Sequence, residues 1–154
     1  MHPHQRILLV DDEMLIRKIC ARVLRDFGYL TQTAEDGVAA WKSLQSNVYD
    51  LLITDQNMPK VSGVELVEKV RSANMALPVI LISGALPTGQ LDKNPWLKGV
   101  ATLAKPFTGD ELLGTVQRVL REGRVPHEQI ESLPIFSQGN FGNRANVVSN
   151  HGCP

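Results

Sequence analysis

Between residues 6 and 120 the chain alternates between short strand-like runs and segments of helical spacing, a pattern few folds accept. The runs fall at 6–10, 29–34, 50–55, 78–83 and 100–104. Two strands lying side by side in the same direction need a long crossover between them, usually a helix. The alternation therefore predicts an α/β fold, a parallel sheet with helices on its faces. Ile7-Leu8-Leu9-Val10 and Val79-Ile80-Leu81-Ile82 are continuously apolar, as strands buried on both faces are. Residues 29–34 are more polar, which suits an edge strand.

The intervening segments carry helical signals. After Asp11-Asp12-Glu13, the residues Ile16, Ile19, Cys20, Val23 and Phe27 share one face of a first helix. The acids are expected in its first turn, where the macrodipole favours them, and Gly28 is expected to end it. A second helix at 36–44 is expected to bury Val38, Trp41 and Leu44. A third at 64–72 turns Leu66, Val67 and Val70 inward. Pro87, Gly89 and Pro95 make any helix within 84–99 short or irregular. Thr108 and Glu111 form a capping box on a last helix, 108–120, with Leu112, Leu113, Val116 and Val119 or Leu120 on its apolar face. A domain is thus expected at 5–122. Residues 123–154, with scattered Pro, Gly and Asn and no sustained period, read as a weakly structured tail or linker stub. The tail is too short and too poor in helical pattern for a DNA-binding domain, although Leu133, Ile135 and Phe136 offer apolar side chains for docking.

In open parallel α/β sheets, reactive groups gather beyond the carboxyl ends of the strands. Four of the runs end in residues able to do chemistry: Asp11 and Asp12, Asp55, Ser83, and Lys105. On one shared rim three carboxylates converge, and like charges that close need a counter-charge to stay ionised. A hard divalent cation answers that need, since Mg²⁺ accepts a few carboxylates and keeps its other positions for water or phosphate. Lys105 adds a point charge and Ser83 a hydroxyl donor. Such a set suits phosphoryl transfer, which is mostly positioning and electrostatic stabilisation. Asp55, at the end of an apolar run and followed by a loop, is then the nucleophile. It is already deprotonated, needs no base, and yields an acyl phosphate. Pro106, after Lys105, is a candidate for a cis bond that aims the ammonium inward.

Leu9-Val10-Asp11-Asp12-Glu13, Thr54-Asp55 with Met58-Pro59 and Gly63, Ser83, and Lys105-Pro106-Phe107 together resemble the receiver domain of two-component response regulators. The resemblance spans about residues 6–120. It implies a flavodoxin-like (βα)5 fold, a doubly wound sheet of five parallel strands in the order 2-1-3-4-5. It implies Asp55 as phosphoacceptor, Asp12 as a metal ligand, and Asp11 as a ligand directly or through water. The backbone carbonyl of Asn57 completes the protein ligands of a Mg²⁺ or Mn²⁺ ion. Ser83 becomes the switch hydroxyl, Lys105 the phosphate contact, and Gly63 and Pro106 structural residues. The implied phosphodonor is a sensor histidine kinase or a histidine phosphotransfer protein. The output partner stays unnamed, a homodimer is compatible, and the chain signals rather than turning over a substrate. Two features depart from the family pattern. The position three residues before the lysine, usually a switch aromatic, is Thr102, and residues 84–99 are poor in helical signals.

Two other readings compete. An aspartate-nucleophile phosphatase needs a second acid two residues after the nucleophile to protonate the leaving group, and Asn57 stands there. A flavodoxin-like cofactor binder needs a Ser, Thr and Gly-rich loop after the first strand, where Asp11-Asp12-Glu13 would repel a phosphate. With 16 basic and 16 acidic residues, charge gives no support to a nucleic-acid or membrane partner. No apolar run approaches the ~20 residues that span a bilayer, and Met1-His2-Pro3-His4 lacks a signal peptide's apolar core. Cys20 and Cys153 lie in unlike contexts, so no structural disulfide is expected and the cytoplasm is the expected compartment. Trp41 and Trp96 read as packing residues, and His2, His4, His127 and His151 lack ligand spacing. Asn57 and the small Ala85 leave room for an attacking water, which predicts a short-lived acyl phosphate.

Overall fold

The strand-like runs assemble, in a computed structural model describing residues 4–85, 89 and 93–124, into one five-stranded sheet. The strands are β1 (Arg6–Val10), β2 (Leu30–Ala34), β3 (Leu51–Asp55), β4 (Val79–Ser83) and β5 (Ala101–Ala104). All neighbours are parallel and the order is β2-β1-β3-β4-β5, the flavodoxin-like arrangement expected. The helices among the described residues include α1 (Met14–Asp26), α2 (Gly37–Ser46), α3 (Gly63–Ser72) and α4 (Gly109–Glu122). Between β4 and β5 the described residues include a 3₁₀ turn, Pro95–Leu97.

Strand side chains alternate between the two faces of the sheet. Ile7, Leu9, Leu51, Ile53, Ile80, Ile82 and Leu103 pack beneath α1 and α4, against Cys20, Leu24, Leu112 and Val116. Leu8, Val10, Leu52 and Val79 pack on the other face, against Ala40 and Leu44 of α2 and Leu66, Val67 and Val70 of α3. Every residue of β3 and β4 is buried, as their sequences foretell. β2, at the edge, has only Ala34 buried.

The capping box at Thr108 and Glu111 is present, and Ser62 with Glu65 forms a second one at the start of α3. Gly28 follows the last turn of α1 with a φ of 105°, a left-handed conformation that glycine adopts without penalty.

Three expectations for the helices need correction. The buried residues of α1 are Cys20, Ala21 and Leu24, whereas Ile19 and Phe27 are exposed and Ile16 and Val23 only half-buried. Helix α1 holds no acid in its first turn, because it starts at Met14 and leaves Asp11, Asp12 and Glu13 in the preceding turn. In α2, Val38 is exposed and Trp41 half-buried, and Gly37, Ala40 and Leu44 are the buried set. A residue without a side chain is needed at position 37 because Val61 lies against the helix start: a Cβ on Gly37 would come within 2.7 Å of the Val61 Cβ. Trp96, expected to pack, is 38% exposed, and the neighbouring Leu97 enters the core instead. Cys20 is a buried free thiol. No described helix is long and apolar enough to cross a membrane. The apolar residues of the tail, Cys153, His2, His127 and His151 lie outside the described residues.

Candidate functional site

The strand order reverses between β1 and β3: β1 leads out to β2 on one side, and β3 leads on to β4 on the other. At such a switch point a crevice opens beyond the carboxyl ends of the strands. Asp11 follows β1 directly and Asp55 closes β3, so the two carboxylates flank this crevice.

Face alternation decides which residues meet. Asp11 continues the phase of Ile7 and Leu9, Asp55 that of Leu51 and Ile53, and Lys105 that of Leu103. All three belong to the face beneath α1 and α4, and at the rim they come together. Lys105 Nζ stands 3.0 Å from Asp55 Oδ1 and 4.0 Å from Asp11 Oδ2. Asp11, Asp12 and Asp55 each bring a carboxylate oxygen to within 4.8 Å of the others. Asp11 and Asp55 are buried, and Asp12 is exposed at the mouth.

Local hydrogen bonds hold the backbone around Asp11, Asp55 and Lys105. Asp11 N–H donates to the Ala34 carbonyl at 3.3 Å, and Asp11 Oδ1 accepts from Glu13 N–H at 2.9 Å. After Asp55 the loop is tied back three times. Gln56 N–H donates to the Ile82 carbonyl at 2.8 Å, Gly63 N–H to the Gln56 carbonyl at 3.0 Å, and Val64 N–H to Gln56 Oε1 at 3.0 Å. Gly63 permits this tight return, because a Cβ there would lie 2.4 Å from the Asp55 carbonyl oxygen. Lys105 N–H donates to the Ser83 carbonyl at 2.9 Å, and the Lys105–Pro106 peptide bond is cis.

Burial pushes the carboxyl groups of Asp55 and Asp11 up from their ordinary range. For Asp55 the hydrogen bond and charge of Lys105 pull back against burial, and Asp12 pushes further up. For Asp11 the Glu13 amide opposes burial, while Asp55 adds to it. Burial alone would lower the Lys105 ammonium, but the hydrogen bond and charge of Asp55, with Asp11 and Glu13, outweigh it and raise the group. One ammonium therefore faces three carboxylates. The crowding of oxygen donors, two of them buried, fits a hard divalent cation and no soft metal.

Ser83 is buried, and its hydroxyl donates to the Ala85 carbonyl at 2.5 Å while accepting from Ala85 N–H at 3.3 Å. It continues the phase of Val79, so it belongs to the opposite face from Asp55. Asn57 is exposed in the loop after β3. Thr102 is half-buried in β5, paired with Leu81 in the register of β4 and β5. Sequence reasoning missed Arg17 and Gln56. Arg17 Nη1 donates to the Asp11 carbonyl at 2.6 Å, and its only signal was a cation early in the helix that follows the acids. Gln56 had none, since its part depends on how the loop folds back.

Residues 7–117 match the model of the response regulator receiver domain. The chain belongs to that family. The receiver domain is 32% identical over 117 residues to the chemotaxis protein CheY of Pseudomonas aeruginosa, covering 74% of this chain and 94% of that protein. Among solved structures, chemotaxis protein CheY4 of Vibrio cholerae aligns with a TM-score of 0.71 at 32% identity, over 75% of this chain and 98% of that one. The response regulator TrrA of Thermotoga maritima, solved in complex with Mg²⁺–BeF, aligns with a TM-score of 0.66 at 33% identity, again over 75% and 98%. The phosphatase and flavodoxin-like readings gain no support from these relationships. The receiver domain is a signalling module of the response-regulator class.

Proposed function

We propose that Asp55 is the residue that takes the phosphoryl group, within a receiver unit of residues 5–122. The observation carrying this reading is the 3.0 Å approach of Lys105 Nζ to Asp55 Oδ1, with Asp11 and Asp12 at the same mouth. A carboxylate oxygen of Asp55 attacks the phosphorus of a phosphohistidine on a sensor kinase or phosphotransfer protein. The P–N bond breaks, its electron pair stays on the imidazole nitrogen, and an acyl phosphate forms. The ammonium of Lys105 lies where it can stabilise charge on the transferring oxygens. Asp11, Asp12, Asp55 and the Asn57 carbonyl are the groups that would hold Mg²⁺ or Mn²⁺, which when bound supplies positive charge to the phosphoryl oxygens.

Ser83 is the switch hydroxyl in this reading. Its bond to the Ala85 carbonyl is the contact it gives up on turning to a phosphoryl oxygen. With Thr102 in place of an aromatic, the surface change is carried by the backbone after β4 rather than by a ring on β5. Met14, Leu15 and Ile19 lie exposed on α1, the helix that follows Asp12, and offer an apolar surface to the phosphodonor.

The test is the intact mass of the chain after incubation with acetyl phosphate and Mg²⁺. Wild type gains one phosphoryl group and Asp55→Asn gains none. An equal gain in Asp55→Asn places the acceptor elsewhere.

A further inference from the structure

The turn between β1 and α1 holds both Asp11 and Asp12, yet α1 starts without the usual help. Its N-cap, Glu13, makes no side-chain capping hydrogen bond, and no acid stands in the first turn. Hydrogen bonds to Asp11 hold the turn instead. Its N–H donates to the Ala34 carbonyl, its Oδ1 accepts from Glu13 N–H, and its carbonyl accepts from Arg17 Nη1. The Arg17 bond, at 2.6 Å, is the shortest of the three. Asp11 Oδ2 takes no part in these bonds and lies 4.0 Å from Lys105 Nζ.

We infer that Arg17 is a positioning residue of the acid site: by clamping the Asp11 carbonyl it sets the turn so that Asp11 Oδ2 and the Asp12 carboxylate face the cation position. This rests on the receiver-site reading above and goes further, since Arg17 contacts neither the phosphoryl group nor the metal in it. Of the three bonds, this is the one made by a side chain of another residue, so it can be removed without altering the backbone.

Two effects of losing Arg17 oppose each other. Removing the positive charge that Arg17 holds at the Asp11 carbonyl should tighten binding of a divalent cation. Releasing the clamp should weaken it, because groups that orient metal ligands typically contribute 10–100-fold to affinity. The short, partly buried bond favours the second effect.

The experiment compares wild type, Arg17→Met and Arg17→Lys in Mg²⁺ titrations by calorimetry. A second readout is the Glu13 amide signal in ¹H–¹⁵N spectra of the metal-free chain. Arg17→Met should bind Mg²⁺ about tenfold more weakly, Arg17→Lys should recover part of the loss, and the Glu13 amide should move in the Met variant without metal. Tighter or unchanged Mg²⁺ binding by Arg17→Met, or an unmoved Glu13 amide, overturns the assignment. Wild type that shows no saturable Mg²⁺ binding contradicts the receiver-site reading instead, and the metal-free Glu13 amide still decides the role of Arg17.

Discussion

Lys105 Nζ lies 3.0 Å from Asp55 Oδ1, and the two residues reach one another from β3 and from the end of β5, with β4 between them. The lysine side chain is 26% exposed and the aspartate 3%, so the pair is shielded on the carboxylate side and open on the ammonium side. That asymmetry suits a group that must meet an incoming phosphoryl. Replacing Lys105 by Met should slow phosphorylation of Asp55 by about a hundredfold, the scale of losing one preorganised charge donor. The time course of the phosphoryl mass checks it.

The acid cluster makes stability depend on pH in a stated direction. Burial raises Asp55 and Asp11 above the ordinary carboxylate value of 3.8, so the folded state holds their protons more tightly than the unfolded chain. Their contribution is full below that value and is lost as pH rises through the raised ones. Asp36 works in the opposite sense. The Ala39 amide first, and Lys60 after it, lower its carboxyl, so its contribution is present above the ordinary value and lost as pH falls through the lowered one. Without metal, Asp55→Asn should therefore melt higher than wild type at neutral pH and lose that advantage near pH 4. Mg²⁺ should raise the wild-type melting temperature at neutral pH and leave Asp12→Asn almost unmoved. Melting curves across pH, with and without a chelator, decide both points.

Gly63 and Gly114 separate a packing glycine from a dispensable one. A Cβ at Gly63 meets the Asp55 carbonyl oxygen at 2.4 Å, Leu81 Cδ1 at 2.7 Å and the Gln56 Cα at 3.0 Å. Gly63→Ala must displace the backbone that carries Asp55, at a cost of about 1–3 kcal/mol or more. A Cβ at Gly114, within α4, meets nothing within 4 Å. Gly114→Ala should stabilise by about 1 kcal/mol through helix propensity. Denaturant unfolding of the two variants checks the contrast.

The sheet was readable because buried parallel strands write themselves as continuous apolar runs, and 51–55 and 79–83 are fully buried. The convergence of Asp11, Asp55 and Lys105 was readable for a related reason: each continues its strand's alternation onto one face. Helix faces were harder. In α1, apolar Met14, Leu15 and Ile19 are exposed, and periodicity cannot distinguish an exposed apolar side chain from a core one. In α2 the close approach of Val61 leaves no room for a side chain at Gly37, and Gly37 and Ala40 are buried with Leu44 while Val38 is exposed. Arg17 and Gln56 act through backbone partners that are set by how the turns fold. The same holds for Ser83, whose hydroxyl is turned to Ala85.

The lifetime of the acyl phosphate depends on what stands around it. Ala85, two residues past Ser83, is small and exposed, and Asn57, two past Asp55, is exposed as well. Both leave a path for water. Ala85→Leu should lengthen the half-life of the phosphorylated chain several-fold, and an unchanged half-life in a decay measurement counts against an open path.

Borohydride reduction of the phosphorylated chain, followed by peptide mass analysis, tests the central assignment most directly, because an acyl phosphate at an aspartate is reduced to homoserine. Homoserine is expected at position 55, and only when acetyl phosphate and Mg²⁺ are both present. Homoserine at another position, or equal conversion without a divalent cation, would contradict it.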